Sequence, residues 1–199
     1  MDKKAKKGDY LDILLRLKSS VFSTKDIALL WRDANTTAAQ ERLNYYVNNE
    51  KLIRIRRGIY AKDANYNKYE LATKILRPSY ISFETVLGAS GITFQYYGNI
   101  FVASYINREI KVDEQKITFV RMKDYVLSNT MGIEHKDGIA MATKERAFLD
   151  RIYVSKDYYF DNTHSLDWNK IFEILPIYHN KSMEKKVKEH FNNYQKLNK

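Results

Sequence analysis

A chain of 199 residues can bury one sizeable core or two small ones, and 44% apolar content with 14% aromatics excludes global disorder. The absence of cysteine excludes disulfides and thiolate metal sites and fits a reducing compartment. A formal charge of +10 with a pI of about 9.5 points to a polyanionic partner, nucleic acid first. The excess is uneven: residues 1–61 carry 13 Lys and Arg against 7 Asp and Glu, the remainder 21 against 17.

Residues 1–7 read as a solvated basic arm. Its lysines resemble the start of a signal peptide, but Asp9, Asp12 and Arg16 interrupt every apolar run beyond it, so no export segment is expected. No run reaches the roughly 18 apolar residues of a membrane span, and a cytoplasmic protein with no membrane partner is expected. From Asp9, the positions Leu11, Ile13, Leu14 and Leu17 follow helical spacing. Ser23 with Asp26 predicts the N-cap of a second helix through Ile27, Leu30 and Trp31, and residues 32–36 form a short polar turn.

A third helix is expected from Thr37, where Thr37-Ala38-Ala39-Gln40 has capping-box spacing. Ala39, Leu43, Tyr46 and Val47 share its inward face. Thr37, Ala38, Glu41, Tyr45 and Asn48 point outward, flanked by Arg42 and Asn44. That small, polar face suits base edges in a major groove. Glu41 argues against phosphate contact, although a carboxylate can accept from cytosine N4.

Next comes an alternating apolar and basic segment. In Ile53-Arg54-Ile55-Arg56 the isoleucines should turn inward and the arginines outward, Arg57-Gly58 supplies a turn, and Ile59-Tyr60-Ala61 returns. Arg54, Arg56 and Arg57, with Lys62 beside them, are candidate phosphate clamps. Helix, turn, helix and basic hairpin is the order of a winged helix-turn-helix, assigned to residues 1–61.

Residues 62–68 form a polar joint into a second domain, 62–199. The fold class expected is α+β: the winged helix followed by a mixed α/β domain with a small antiparallel sheet and terminal helices. Helices are predicted over Tyr69–Leu76, stopped by Pro78, and after Ser82 as N-cap, carrying Val86 and Leu87. Strands are predicted over Asn99–Ile106, Lys116–Met122 and Gly138–Ala142. Further helices are expected over Thr143–Val154, over Asp167–Leu175 ended by Pro176, and at the terminus. The last sets Met183, Val187, Phe191 and Tyr194 on one side, a stripe whose commonest fate is docking on the core.

Sites of enzymatic chemistry are not expected. His135, His164, His179 and His190 lack metal-ligand spacing and read as surface or packing residues; the glycines form neither a phosphate loop nor a nucleophile elbow. Glu114-Gln115-Lys116 mimics the E-x-K end of metal-dependent nucleases, but Asn99–Ile106 offers no second carboxylate, and Asp113-Glu114 reads as a hairpin turn. No cofactor, metal or catalytic residue is assigned.

Arg56-Arg57-Gly58-Ile59-Tyr60-Ala61 resembles the wing of AbiEi-type antitoxins, the antitoxin half of type IV abortive-infection systems. Two further blocks are similar to that family in order and spacing, Pro78–Leu87 and Ala142–Asp150, so the resemblance spans roughly residues 20–155. Lys144 departs from it, standing where the family often has proline, and the region after residue 155 carries no matching motif. The resemblance implies a transcriptional autorepressor that binds inverted repeats in its own promoter, two molecules to an operator. It also implies antitoxin activity against a nucleotidyltransferase-like toxin in phage defence, the toxin being the enzyme. The alternative is a protein–protein interaction module that neutralises a partner without binding DNA.

Overall fold

The structure, a computed structural model, describes residues 9–33, 36–95, 97–155 and 157–197. The basic arm at residues 1–7 and positions 34 and 35 of the polar turn lie outside the described residues. The fold is mixed α+β, with a three-stranded and a six-stranded sheet in two compact units that meet in sequence at Ile75 and Leu76.

The first unit runs α1 (Asp9–Arg16), β1 (Val21–Ser23), α2 (Thr24–Leu30), α3 (Thr36–Asn48), β2 (Ile53–Arg56), β3 (Ile59–Ala61) and α4 (Lys68–Ile75). Its core joins Tyr10 and Leu14 of α1 to Ile27, Ala39, Leu43 and Tyr46, with Trp31 at the centre. The Trp31 indole meets the Tyr10 ring edge-on at 5.3 Å and donates to the Tyr10 carbonyl at 2.9 Å, which fixes α1 to the end of α2. The expected cap is present: Ser23 Oγ accepts from Asp26 N–H at 3.1 Å while Asp26 accepts from Ser23 N–H. Thr37, by contrast, lies inside α3 rather than capping it, since the helix already includes Thr36.

This unit extends to Ile75 rather than ending at Ala61, because α4 is bound to β1 by a buried carboxylate. Glu70 accepts from the Ser20 N–H at 2.7 Å, the Ser20 hydroxyl at 2.8 Å and the Val21 N–H at 2.8 Å. A helix that satisfies the backbone donors of Ser20 and Val21, where β1 begins, cannot be a linker.

The second unit contains β4 (Tyr80–Ile81), α5 (Glu84–Ala89), β5 (Ile100–Ser104), β6 (Arg108–Val112), β7 (Gln115–Arg121), α6 (Asp124–Leu127), β8 (Ile133–Lys136), β9 (Ile139–Ala142), α7 (Lys144–Val154), α8 (Trp168–Ile174) and α9 (Lys181–Leu197). Its sheet has the order β6-β7-β5-β4-β9-β8, so the small antiparallel sheet expected from sequence is corrected to six strands. It is mixed, with β5 parallel to β7 and β4 parallel to β9. The strands that periodicity misses are β4, only two residues long, and the edge strands β6 and β8, whose charged sequences REIKV and IEHK hide the apolar alternation. Pro176 does not end the helical run either: a 3-10 turn continues over Leu175–Tyr178.

One buried cluster ties this unit together. Arg146 and Asp150, one turn apart on α7, are both 0% exposed, with Arg146 Nε 3.2 Å from Asp150 Oδ1. Arg146 Nη1 donates to the carbonyls of Met131 (2.8 Å) and Asn129 (3.4 Å), and Nη2 to the Val126 carbonyl (2.8 Å) and the Tyr80 hydroxyl (3.0 Å). All five guanidinium N–H groups are thus used. Asp150 also accepts from the hydroxyls of Tyr178 (2.7 Å), Ser82 (2.8 Å) and Tyr80 (3.0 Å). Burial pushes the Asp150 carboxyl above the usual carboxylate range, against the Arg146 charge and these hydroxyl donors. Ser82 therefore serves Asp150 and does not cap α5, whose N-cap residue is Phe83 without a side-chain cap. Thr143 does cap α7, accepting from the Arg146 N–H at 3.2 Å.

The terminal helix docks as its stripe predicts. Met183 and Val187 are buried, Phe191 meets Trp168 and Phe172 at 5.2 Å each, and Tyr194 meets Trp168 at 5.5 Å. His190 stands beside the Phe148 and Phe160 rings, at 5.7 and 5.5 Å, and burial lowers its pKa. No helix among the described residues is long and apolar enough to cross a membrane.

Replacing Asp150 by Ala or Arg146 by Met should lower unfolding free energy by about 3–5 kcal/mol, because each leaves a buried charge without its partner. Urea titration followed by tryptophan fluorescence measures this. A second expectation concerns pH. A base with a depressed folded pKa binds its proton more readily in the unfolded chain, so the His190 contribution is full above its ordinary pKa of 6.5 and is lost as pH falls. His190→Phe should flatten the pH dependence of the melting temperature below about 6.5.

Candidate nucleic-acid interface

In the first unit, α2 and α3 pack through Ala28, Ala39 and Leu43, and the β2–β3 hairpin comes after them. The hairpin turns at Gly58, whose φ of +76° favours glycine over other residues. Its tip is tied to the start of α2: the Gly58 carbonyl accepts from Thr24 N–H at 2.9 Å and from Thr24 Oγ1 at 3.3 Å. A loop that would otherwise be free is therefore held against the helix pair at its turn.

Along α3 the outward residues divide into two stripes. Thr37, Glu41, Asn44 and Asn48 are exposed one above another at helical spacing, and Thr36 and Gln40 lie exposed at the N-terminal end. Sequence reasoning passes over Gln40 by assigning it to a capping box, whereas the helix starting at Thr36 leaves it on the surface. Ala38, Arg42 and Tyr45 belong to the second stripe. There Glu41, Arg42, Tyr45 and Tyr46 line a recess of about 440 Å³ together with Tyr10 of α1.

Arg42 is committed within that recess. Its Nη1 lies 2.5 Å from both carboxylate oxygens of Asp33, and its guanidinium sits 4.3 Å from the Tyr10 ring centroid. Asp33 holds the guanidinium above its ordinary pKa. A base contact by Arg42 would break this pair, so the residue belongs to packing between α1, α3 and the turn.

The basic hairpin also differs from simple alternation. A bulge between Arg54 and Arg56 inserts Ile55 opposite no residue of β3, which reverses the faces of the neighbouring positions. Ile53 is consequently exposed and Ile55 half-buried, contrary to the inward placement expected for both. The inward apolar residues are instead Leu52, Ile59, Tyr60 and Ala61. Arg54 and Arg57 are exposed; Arg56 is half-buried, its Nη1 enclosed without a hydrogen-bond partner. Lys62 faces away from any clamp, because its ammonium donates to the carbonyls of Leu15 (3.0 Å) and Leu17, closing the C-terminal end of α1. The cations presented to solvent by the hairpin are thus Arg54 and Arg57.

In the second unit, Glu114 lies in the β6–β7 turn and pairs with Lys111 at 3.1 Å, while Lys116 pairs with Glu109 at 2.9 Å. Neither the acid nor the lysine of the E-x-K sequence points into a shared carboxylate site. Among the described residues no three His, Asp or Glu side chains are grouped to hold a metal ion.

Arg42→Ala should lower stability by about 1 kcal/mol, partial exposure screening the rest of its ion pair, whereas Asn44→Ala should stay within about 0.5 kcal/mol. Chemical denaturation of the two variants separates the packing stripe from the presented one.

No protein-family model matches the chain, and no curated protein matches it.

Proposed function

We propose that the chain is a DNA-binding autorepressor and antitoxin of the AbiEi type, acting in the cytoplasm. On this reading residues 9–61 form a winged helix-turn-helix, α3 enters the major groove, and the β2–β3 hairpin is the wing on the adjoining backbone. The observation that carries it is the exposed stripe Thr37–Glu41–Asn44–Asn48 in one compact unit with a hairpin tied to α2 at Gly58 and presenting Arg54 and Arg57. The +10 charge supports it, as does the resemblance of Arg56–Ala61, Pro78–Leu87 and Ala142–Asp150 to that family. The second unit carries the antitoxin activity in this proposal, directed against a nucleotidyltransferase-like toxin, and two molecules occupy an operator of inverted repeats.

Division of labour on DNA follows from the side chains. Arg54 and Arg57 neutralise phosphates and carry no sequence information. Thr37, Gln40 and Asn44 offer hydroxyl and amide groups that pair with base edges, Asn and Gln suiting adenine. Glu41 is held off the phosphates by repulsion and accepts from cytosine when it contacts a base at all.

Gel-shift titration against the upstream promoter region tests the assignment. Arg54→Ala with Arg57→Ala should weaken promoter and random DNA alike and flatten the dependence of log K on log salt by about 0.9 for each phosphate no longer neutralised. Asn44→Ala should erode discrimination between promoter and random DNA by roughly 1–3 kcal/mol for a bidentate pair removed, and Thr37→Ala by less, both leaving the salt slope unchanged. Retention of full promoter affinity by both sets would refute the proposal.

A further inference from the structure

The second unit has a concave groove of about 840 Å³, lined by Asn107, by Val120–Lys123 at the end of β7, by Arg151 and Tyr153–Ser155 at the end of α7, and by Asn180. Its volume falls within the range of small-ligand sites. The lining is chemically one-sided: it holds Arg121, Lys123 and Arg151 and, among the described residues, no carboxylate.

These cations are placed by rigid elements. Met122 is buried and its N–H donates to the Ser104 carbonyl at 2.8 Å, so the extended alternation turns Arg121 and Lys123 to the same outer side. The Arg121 backbone N–H is held by Asn107 Oδ1 at 2.7 Å, which leaves the Asn107 amide nitrogen as a donor. Arg151 is held by an ion pair with Glu84 at 3.2 Å and lies 4.4 Å from the Tyr158 ring centroid. Asn180 accepts from the Met183 N–H at 3.1 Å as it opens α9, so the positive end of a 17-residue helix adds to the groove. Tyr153, its phenol pushed up to about 12 by burial and by its hydrogen bond to Tyr125, adds no negative charge near neutral pH.

We propose that this groove binds a phosphate-bearing ligand, with Arg121 and Lys123 as the charged contacts and Asn107 and Asn180 as neutral groups beside them. Cations on an exposed surface are commonly left solvated. Here two cations project from one strand end into a concavity whose third cation is held in place and whose described walls lack any acid, an arrangement suited to a compact polyanion. The same phosphate chemistry is offered by a free nucleotide and by a short single strand of nucleic acid, and titration distinguishes them. The proposal is independent of DNA recognition by the first unit.

The test uses the full chain carrying Arg54→Ala and Arg57→Ala, so that phosphate binding by the hairpin does not contribute. Two probes are titrated by fluorescence anisotropy: an N-methylanthraniloyl derivative of ATP and a short fluorescein-labelled poly(U) strand. At least one should bind saturably, and adding Arg121→Glu with Lys123→Glu should weaken it by about tenfold or more. The charge-matched pair Lys136→Glu with Lys170→Glu, both exposed and outside the groove, should leave affinity within about twofold. Saturation by the nucleotide alone identifies a small ligand, and tighter binding of the strand identifies a nucleic-acid backbone. Absence of saturable binding by either probe, or equal weakening by the control pair, overturns the proposal. Matching circular dichroism melts of the variants show that lost binding is not lost folding.

Discussion

The second unit is organised by a single ion pair removed from water. A charge pair at 0% exposure is costly to bury, and it persists only where the remaining valences of both partners are filled. Here they are filled from segments far apart in the chain: the hydroxyls of Tyr80, Ser82 and Tyr178 on the carboxylate side, and the carbonyls of Val126, Asn129 and Met131 on the guanidinium side. The pair therefore fixes β4, α6, the loop before β8 and the 3-10 turn around α7 in one arrangement. Replacing both charges by apolar groups would not restore the balance, because three hydroxyls and three backbone carbonyls would lose their partners. The close approach is visible at Gly132, where a Cβ would come within 2.8 Å of the Arg146 Cβ and of Ile174 Cδ1.

This geometry accounts for two of the three blocks on which the proposed antitoxin reading draws. Pro78–Leu87 contributes Tyr80 and Ser82, and Ala142–Asp150 contributes Arg146 and Asp150, so the blocks meet each other in the core rather than a ligand. Their side chains are determined by a folding requirement. The first block, Arg56–Ala61, differs in kind: it mixes buried Tyr60 and Ala61 with a turn glycine and an exposed Arg57, and only the last is free to serve a partner.

Much of the architecture was legible where local rules act alone. The Ser23–Asp26 capping box, the Thr143 cap and the α9 stripe each depend on neighbours within a turn or two, and periodicity reads such neighbours directly. The sheet was less legible. β4 has two residues, and β6 and β8 are edge strands whose charges obscure alternation, although Asp137-Gly138 between β8 and β9 is itself a strong hairpin signal. At the candidate interface the failures share one cause, namely long-range partners. Nothing in the local sequence announces that Arg42 meets Asp33 and Tyr10, that Lys62 reaches back to the carbonyls of Leu15 and Leu17, or that Glu70 anchors α4 to β1.

The basic charge of the first unit divides by the same criterion. Arg42 and Lys62 each neutralise or cap a fixed internal group, and Arg56 is half-buried beside a bulge, so formal charge overstates what the surface offers to a polyanion. Arg54, within β2, and Arg57, at the turn bonded to α2, remain. Two cations are few for affinity, but their hairpin is tied to the same α2 that packs on α3, whose polar stripe would do the reading. A guanidinium on an anchored turn loses less freedom on meeting a phosphate than one on a mobile arm, so it returns more binding per contact. On the proposed DNA-binding reading the Thr24–Gly58 bonds act by preorganisation: they would make a short basic hairpin a fixed reference point from which a helix could take its register.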